Sequence, residues 1–224
     1  MAHLDIYSDI ACPWCFIGKR RLEAALQILP EVDRPTIRWH AYQLSPETPE
    51  GPARANGQEV FAKKFGGEAR MKQLFGHVEN VGSEVGIAFD FNDPRVVNTR
   101  LAHRAVAIAR EVGATAESAV VEALFKAHFE QHQDLGDLAV VVAITAPLMG
   151  LDAAVLNARL TGTDGATDVD EDLGNARRYG LSGVPTFILD NTWAMSGGQP
   201  VDVFLEFFAE GKKKQAEGKK NQSP

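Results

Sequence analysis

The sequence predicts an α/β fold, a four-stranded mixed sheet flanked by helices and interrupted by an α-helical insertion domain. Three observations predict it. Residues 1–51 read as strand, helix and strand; residues 52–165 are almost wholly helical in pattern; residues 166–211 read as helix, two strands and helix. The two ends together compose one sheet domain, discontinuous in sequence. A Lys-rich stretch, 212–224, follows as an expected disordered tail.

Leu4 to Ser8 alternates as a short strand, and a turn through Asp9 to Ala11 leads to a helix opening at Pro13. Proline is favoured at the first helical position because its missing N–H has no intrahelical partner to lose. Leu22, Ala25, Leu26 and Leu29 recur at helical spacing until Pro30 ends the run. Thr36 to Leu44, with Ile37, Trp39 and Tyr42, is the second strand. In the insertion, Met71, Leu74, Phe75, Val78, Val81 and Val85 form one apolar stripe. Leu101, Ala105, Ile108 and Val112 form another, in a helix starting near Val97. Further helices are predicted over Ala116–Glu130, Asp137–Leu148 and Asp168–Tyr179, the last capped by Gly180. Thr186–Leu189 and Trp193–Ser196 are strands joined by a tight turn at Asp190-Asn191, before a final helix over Val201–Glu210.

With 224 residues, 45% of them hydrophobic, the chain can bury a substantial core. The formal net charge is -7, and since 211–224 carries five Lys and one Glu, net +4, the remainder carries -11. Such a body argues against nucleic-acid binding. No run approaches the roughly 18 apolar residues of a membrane span, and the opening MAHLDIYSDIACPWC passes directly into a strand pattern. The expectation is a cytoplasmic protein without signal peptide or anchor.

Only two cysteines are present, Cys12 and Cys15. A bridge closing so short a loop stabilises little, so the pair is there for chemistry or metal. Cys12 falls at the N-cap of the helix that Pro13 and Trp14 open, and Cys15 one turn inside on the same side. Unsatisfied N–H groups and the positive helix end stabilise a thiolate at the cap, making Cys12 the attacking thiol and Cys15 the resolving one. The alternatives are a zinc site and two inert buried thiols. His128 and His132, four residues apart, would complete a zinc ligand set, but zinc knuckles sit in Gly-rich loops, whereas this pair opens a helix. The histidines therefore read as a polar face on a solvated helix, and no metal is expected. Lys19, Arg20 and Arg21 read as a wet helix face, with an electrostatic role near the sulfur as the alternative.

The segments IYSDIACPWCFIGKRRLE, VVNTRLAHRAVAIA, ALFKAHFEQHQDLGD, GLSGVPTFIL and SGGQPVDVF carry a resemblance. The chain resembles the DsbA-like branch of the thioredoxin superfamily, which implies a thioredoxin-like fold, and within that branch the FrnE-like proteins. The resemblance implies that Val184-Pro185 is a cis dipeptide beside Cys12 and that the Val184 backbone pairs with substrate or glutathione in strand fashion. It further implies that Asn98 and Thr99 line the cleft. Kappa-class glutathione transferases and hydroxychromene-carboxylate isomerases share the domain order but typically carry serine at the position of Cys12. The expectation is thus a thiol-disulfide oxidoreductase, acting as reductase or isomerase on protein or small-molecule thiols and disulfides. Its redox-active disulfide takes the place of a bound cofactor, and glutathione is a candidate co-substrate. A glutathione-dependent isomerase or transferase and a zinc-stabilised, non-catalytic binding protein stand as the competing readings.

Overall fold

The computed structural model describes residues 2–53 and 56–220, with backbone alone for 215–220. A central strand, apolar on its Leu4–Ile6 face, organises it. β1 (His3–Ser8) buries Leu4, Ile6 and Tyr7 and lies between a parallel and an antiparallel neighbour. The parallel neighbour, β2 (Thr36–Ala41), pairs from His3↔Thr36 to Ser8↔Ala41. Parallel pairing needs a crossover, and α1 (Pro13–Ile28) is that crossover. β3 (Thr186–Leu189), arriving from the far end of the chain, pairs antiparallel with β1, and β4 (Trp193–Ser196) with β3, for the order β2-β1-β3-β4. Three residues, Asp190–Thr192, join β3 to β4; Asp190 and Asn191 take φ of 49° and 53°, and the Thr192 N–H closes the turn onto the Leu189 carbonyl at 3.1 Å.

Between β2 and β3 lie, among the described residues, seven helices: α2 (Gly57–Phe65), α3 (Glu68–Ser83), α4 (Arg100–Val112), α5 (Ala114–Phe129), α6 (Leu138–Met149), α7 (Ala153–Thr161) and α8 (Ala166–Arg178). The sequence pattern leaves α2 and α7 undelimited. α5 is central, burying Val120, Val121, Leu124, Phe125 and Phe129, and it touches β2, α1, α4 and α6. Phe16 of α1 stacks on Phe125 with centroids 5.0 Å apart, so a single apolar cluster runs from the sheet into the helices. Each such ring, fully buried, contributes about 1.5–3 kcal/mol. α9 (Val201–Lys220) packs beside α1 on the same face of the sheet, Phe204 meeting Phe187 edge-on at 4.9 Å.

Three boundaries differ from the sequence expectation by more than two residues. β2 stops at Ala41 rather than Leu44, because the Leu44 N–H turns to the Asp9 carboxylate at 2.7 Å. α4 starts at Arg100 rather than near Val97, since the Asn98 side chain takes the Arg100 N–H at 2.9 Å and ends the extended approach. α9 runs on to Lys220 instead of ending at Glu210, so residues 212–220 are helical and only 221–224 of the expected tail lie outside the described residues. Lys, Gln, Ala and Glu propagate a helix once Phe204 and Phe208 anchor its start. Lys212 then reaches Asp33 at 2.8 Å, and Lys214 sits 3.6 Å over the Trp193 ring.

Candidate active site

The turn after β1 is shaped by one buried carboxylate. Asp9 accepts the Ala11 N–H at 3.2 Å and the Leu44 N–H at 2.7 Å, while its own carbonyl takes the Cys12 N–H at 3.0 Å. His103 of α4 approaches it at 3.5 Å and donates to the Tyr42 carbonyl at 2.9 Å. Burial pushes the Asp9 carboxyl up, but His103 and the Leu44 N–H outweigh it and hold Asp9 below the ordinary carboxylate value. Asp9 thereby fixes the direction in which the chain enters α1. No motif in the sequence marks it.

Cys12 is the N-cap of α1, in extended conformation, and Pro13 is the first helical residue. Both cysteines are free thiols and both are buried, Cys12 at 4% exposure and Cys15 at 1%. The difference lies in what they face. Cys12 reaches the Val184 carbonyl, Sγ to O 3.6 Å, and borders a cavity, whereas Cys15 sits a turn deeper in the apolar cluster. Burial pushes the Cys15 thiol well up, and the neighbouring Cys12 adds to this; the Ser8 hydroxyl and the Asp9 backbone oppose it without prevailing. Cys15 therefore stays protonated at neutral pH.

The Val184-Pro185 peptide bond is cis. Its loop is clamped from two sides: the Gly197 N–H donates to the Pro185 carbonyl at 2.8 Å, and Arg21 donates to the Gly198 carbonyl at 2.6 Å. Gly18 makes room for the contact. A Cβ there would lie 3.1 Å from Pro185 Cγ and 3.3 Å from Phe187 Cζ, so a side chain at position 18 would press on the loop and on β3.

Four expectations change. Asn98 is buried, its amide donating to the Thr48 carbonyl at 2.6 Å and accepting from Gln43 at 2.8 Å, so its polar atoms hold a loop rather than face a cleft. Lys19 is no wet face. It is 2% exposed, bound to Glu23 and, at 2.9 Å, to Glu122 of α5, which also takes Arg20. These charges are neutralised across the α1–α5 contact and leave little field for the sulfur. His128 is buried rather than solvated, and its Nδ1 has no hydrogen-bond partner. α5 ends at Phe129, so His132, at φ 51°, leaves that face for Asp90 at 2.8 Å. Among the described residues no cluster of three or more metal-ligating side chains forms, and no helix is long and apolar enough to cross a membrane.

The cavity beside Cys12 has a volume of about 330 Å³ and separates the start of α1 from the helical block. Trp14, Phe61, Phe65, Phe75, Phe91 and Phe129 give its wall an aromatic part, and Lys64, Asp90, Arg95, His77 and His128 line it as well. The sequence signal for it is the density of phenylalanines between residues 61 and 129, which periodicity alone assigns to core.

Comparison with known proteins matches residues 3–209 to the model of the DSBA-like thioredoxin domain. The uncharacterized protein YwbO of Bacillus subtilis (strain 168) is 26% identical over 95% of this chain and 98% of its own. The crystal structure of a probable DsbA oxidoreductase from Streptomyces coelicolor superposes with a TM-score of 0.86 at 27% identity, covering 95% of this chain and 91% of that one. The cytosolic disulfide reductase DsbM of Pseudomonas aeruginosa shares the fold at 19% identity, with a TM-score of 0.62 over 94% of this chain and 98% of its own.

Proposed function

The chain belongs to the DSBA-like thioredoxin domain family, and from that membership we propose that it is a thiol-disulfide oxidoreductase of the FrnE-like branch, acting as a cytoplasmic reductase or isomerase. The observation that carries the reading is the unequal placement of the two sulfurs: Cys12 borders a cavity and Cys15, held protonated, lies behind it.

In the reducing direction the Cys12 thiolate attacks one sulfur of a substrate disulfide, forming Cys12–S–S–R and releasing the other half as a thiolate, which takes up a proton. Cys15 then loses its proton and attacks the Cys12 sulfur. The second half leaves as a thiol, and the pair is left as a disulfide. The two electrons come from the cysteine pair, and an external dithiol, or two molecules of glutathione, restores them. Apolar surroundings around Cys15 delay its ionisation until the mixed disulfide has formed, which limits premature attack.

Cys12→Ser is expected to reduce dithiol-driven turnover of a model disulfide to the uncatalysed rate. Cys15→Ser is expected to accumulate a mixed disulfide on Cys12, visible by mass as the addition of one substrate half. Full turnover in Cys15→Ser would defeat the resolving role and leave a monothiol, glutathione-dependent route.

A further inference from the structure

Resolution asks a thiol among apolar side chains to carry negative charge while it attacks. In such surroundings an anion is costly unless donors meet it. Alternation along β1 puts Ser8 on the face of Leu4 and Ile6, which belong to the same apolar cluster as Cys15, whereas Tyr7 joins a separate cluster with Ala176 and Ile188. The chain turns at Asp9, whose carbonyl takes the Cys12 N–H at 3.0 Å, and the Ser8 hydroxyl and the Asp9 backbone both act on the Cys15 thiol. Ser8 is 3% exposed, and its Oγ has no hydrogen-bond partner. The buried Thr145 and Thr186 hydroxyls, by contrast, donate to the Val141 and Gly183 carbonyls at 2.7 and 2.9 Å. A buried hydroxyl left over in this way is destabilising, and native structures rarely keep one without a reason. Ser8 also borders a space of about 10 Å³ with Trp39, His40, His103 and Asp172, at the lower limit for a single water. A hydroxyl satisfied there would hold the fold and take no part in resolution, and the two roles differ in what they predict.

We propose that the Ser8 hydroxyl and the Asp9 backbone N–H form a donor pair for the Cys15 sulfur, receiving its negative charge as it attacks the mixed disulfide on Cys12. The pair does for a thiolate what preorganised donors do for a developing oxyanion. The proposal rests on the dithiol reading of Cys12 and Cys15 and adds to it the groups that make the second step fast. In that step the Cys15 S–H bond breaks and its proton passes to water. A bond forms between the Cys15 and Cys12 sulfurs, and the bond from Cys12 to the substrate half breaks. That half leaves with the electron pair as a thiolate, which takes a proton back from water where it is the stronger base. Ser8 keeps its own proton throughout, because its O–H only turns toward the anion. The resting dithiol, with Cys15 uncharged, has no such use for the hydroxyl, which is why the Oγ is found unpaired.

Stopped-flow mixing of the reduced protein with one equivalent of dithiobis(nitrobenzoate) separates the two steps. Attack by Cys12 releases one coloured thionitrobenzoate and resolution by Cys15 releases a second, so absorbance rises in two phases. Ser8→Ala should leave the first phase unchanged and slow the second about tenfold, the loss of one hydrogen bond to a partly formed charge. Ser8→Thr, which restores a hydroxyl, should return the second phase to near the wild-type rate. Ser8→Ala should also unfold at the same or a higher urea concentration than wild type, because it removes a buried group without a partner. A purely structural hydroxyl predicts the reverse pattern, a lower urea midpoint with an undiminished second phase. Either of those results overturns the proposal, as do equal slowing of both phases in Ser8→Ala or a Ser8→Thr variant as slow as Ser8→Ala. Release of two equivalents with the second phase unmoved by Ser8→Ala removes the donor pair and leaves the dithiol reading standing. Release of only one equivalent by the wild type overturns the dithiol reading and the donor pair with it.

Discussion

Neutrality is forced on His128 by its surroundings, since burial pushes the imidazole down to about 4 despite the pull of Asp9 and Asp134. In the unfolded chain the same ring titrates near 6.5. Between those values the unfolded state binds a proton that the folded state refuses, so stability falls as pH falls through that window. His40 has the opposite sign. Burial pushes it down, yet Asp172 and Asp5, each at 2.6 Å, raise it above its ordinary value. It therefore contributes stability that is fully present below about 6.5 and is lost as pH rises through its folded value. His128→Phe removes only the first effect. Between pH 7 and pH 5 the wild type should lose about 2 kcal/mol more than His128→Phe, measured as the difference in urea-unfolding free energy at the two pH values. Equal losses would show that the ring protonates freely in the folded state.

At the scale of elements, the contact between α1 and α5 combines a stacked pair, Phe16 on Phe125, with a charge cluster in which Lys19, Arg20 and Lys126 converge on Glu122. Lys19 is the buried member, and desolvating an ammonium is repaid only while its partners stay. Glu122→Gln should cost about 3 kcal/mol, the low end for stripping a buried charge of one partner, since Glu23 remains. Lys19→Met, which removes the charge and keeps the apolar stem, should stay within about 1 kcal/mol of wild type. Denaturant midpoints at one pH decide it. A larger loss in Lys19→Met than in Glu122→Gln would make the ion pairs a net source of stability. The basic triplet was legible as three cations on a helix. That one faces inward was not, because a turn of α1 gains or loses a wet face only when α5 is set against it.

For the whole molecule, one apolar cluster joins the sheet to the helical block through α1, α4 and α5. Arg110 of α4 adds a polar tie, bonding the Trp39 carbonyl of β2 and Glu117 of α5. A shared core of this kind unfolds as a unit. Trp193 lies in β4, whereas Trp14 meets His77 of α3 with centroids 5.8 Å apart and the Trp39 backbone N–H donates to Glu117 of α5 at 3.4 Å, so tryptophan fluorescence reports the sheet together with its contact to the helical block, and far-UV circular dichroism reports mainly the helices. The two urea midpoints should coincide; separated transitions would mean that the helical block melts on its own. What the sequence by itself determined is local: the strand and helix periods, the hairpin at Asp190-Asn191, and the placing of Cys12 at a helix start with Cys15 one turn on. These depend on residues within a few positions of one another, so spacing reveals them. The tertiary structure alone decided which polar groups lost water. Asp9, Lys19, Asn98 and His128 all carry groups that sequence patterns assign to turns, caps or wet faces, and each is buried by segments tens of residues away. Burial is a property of the assembled layers, and it turns a cap into a brace, a surface cation into an internal ion pair and a helix histidine into a buried ring whose Nδ1 has no hydrogen-bond partner.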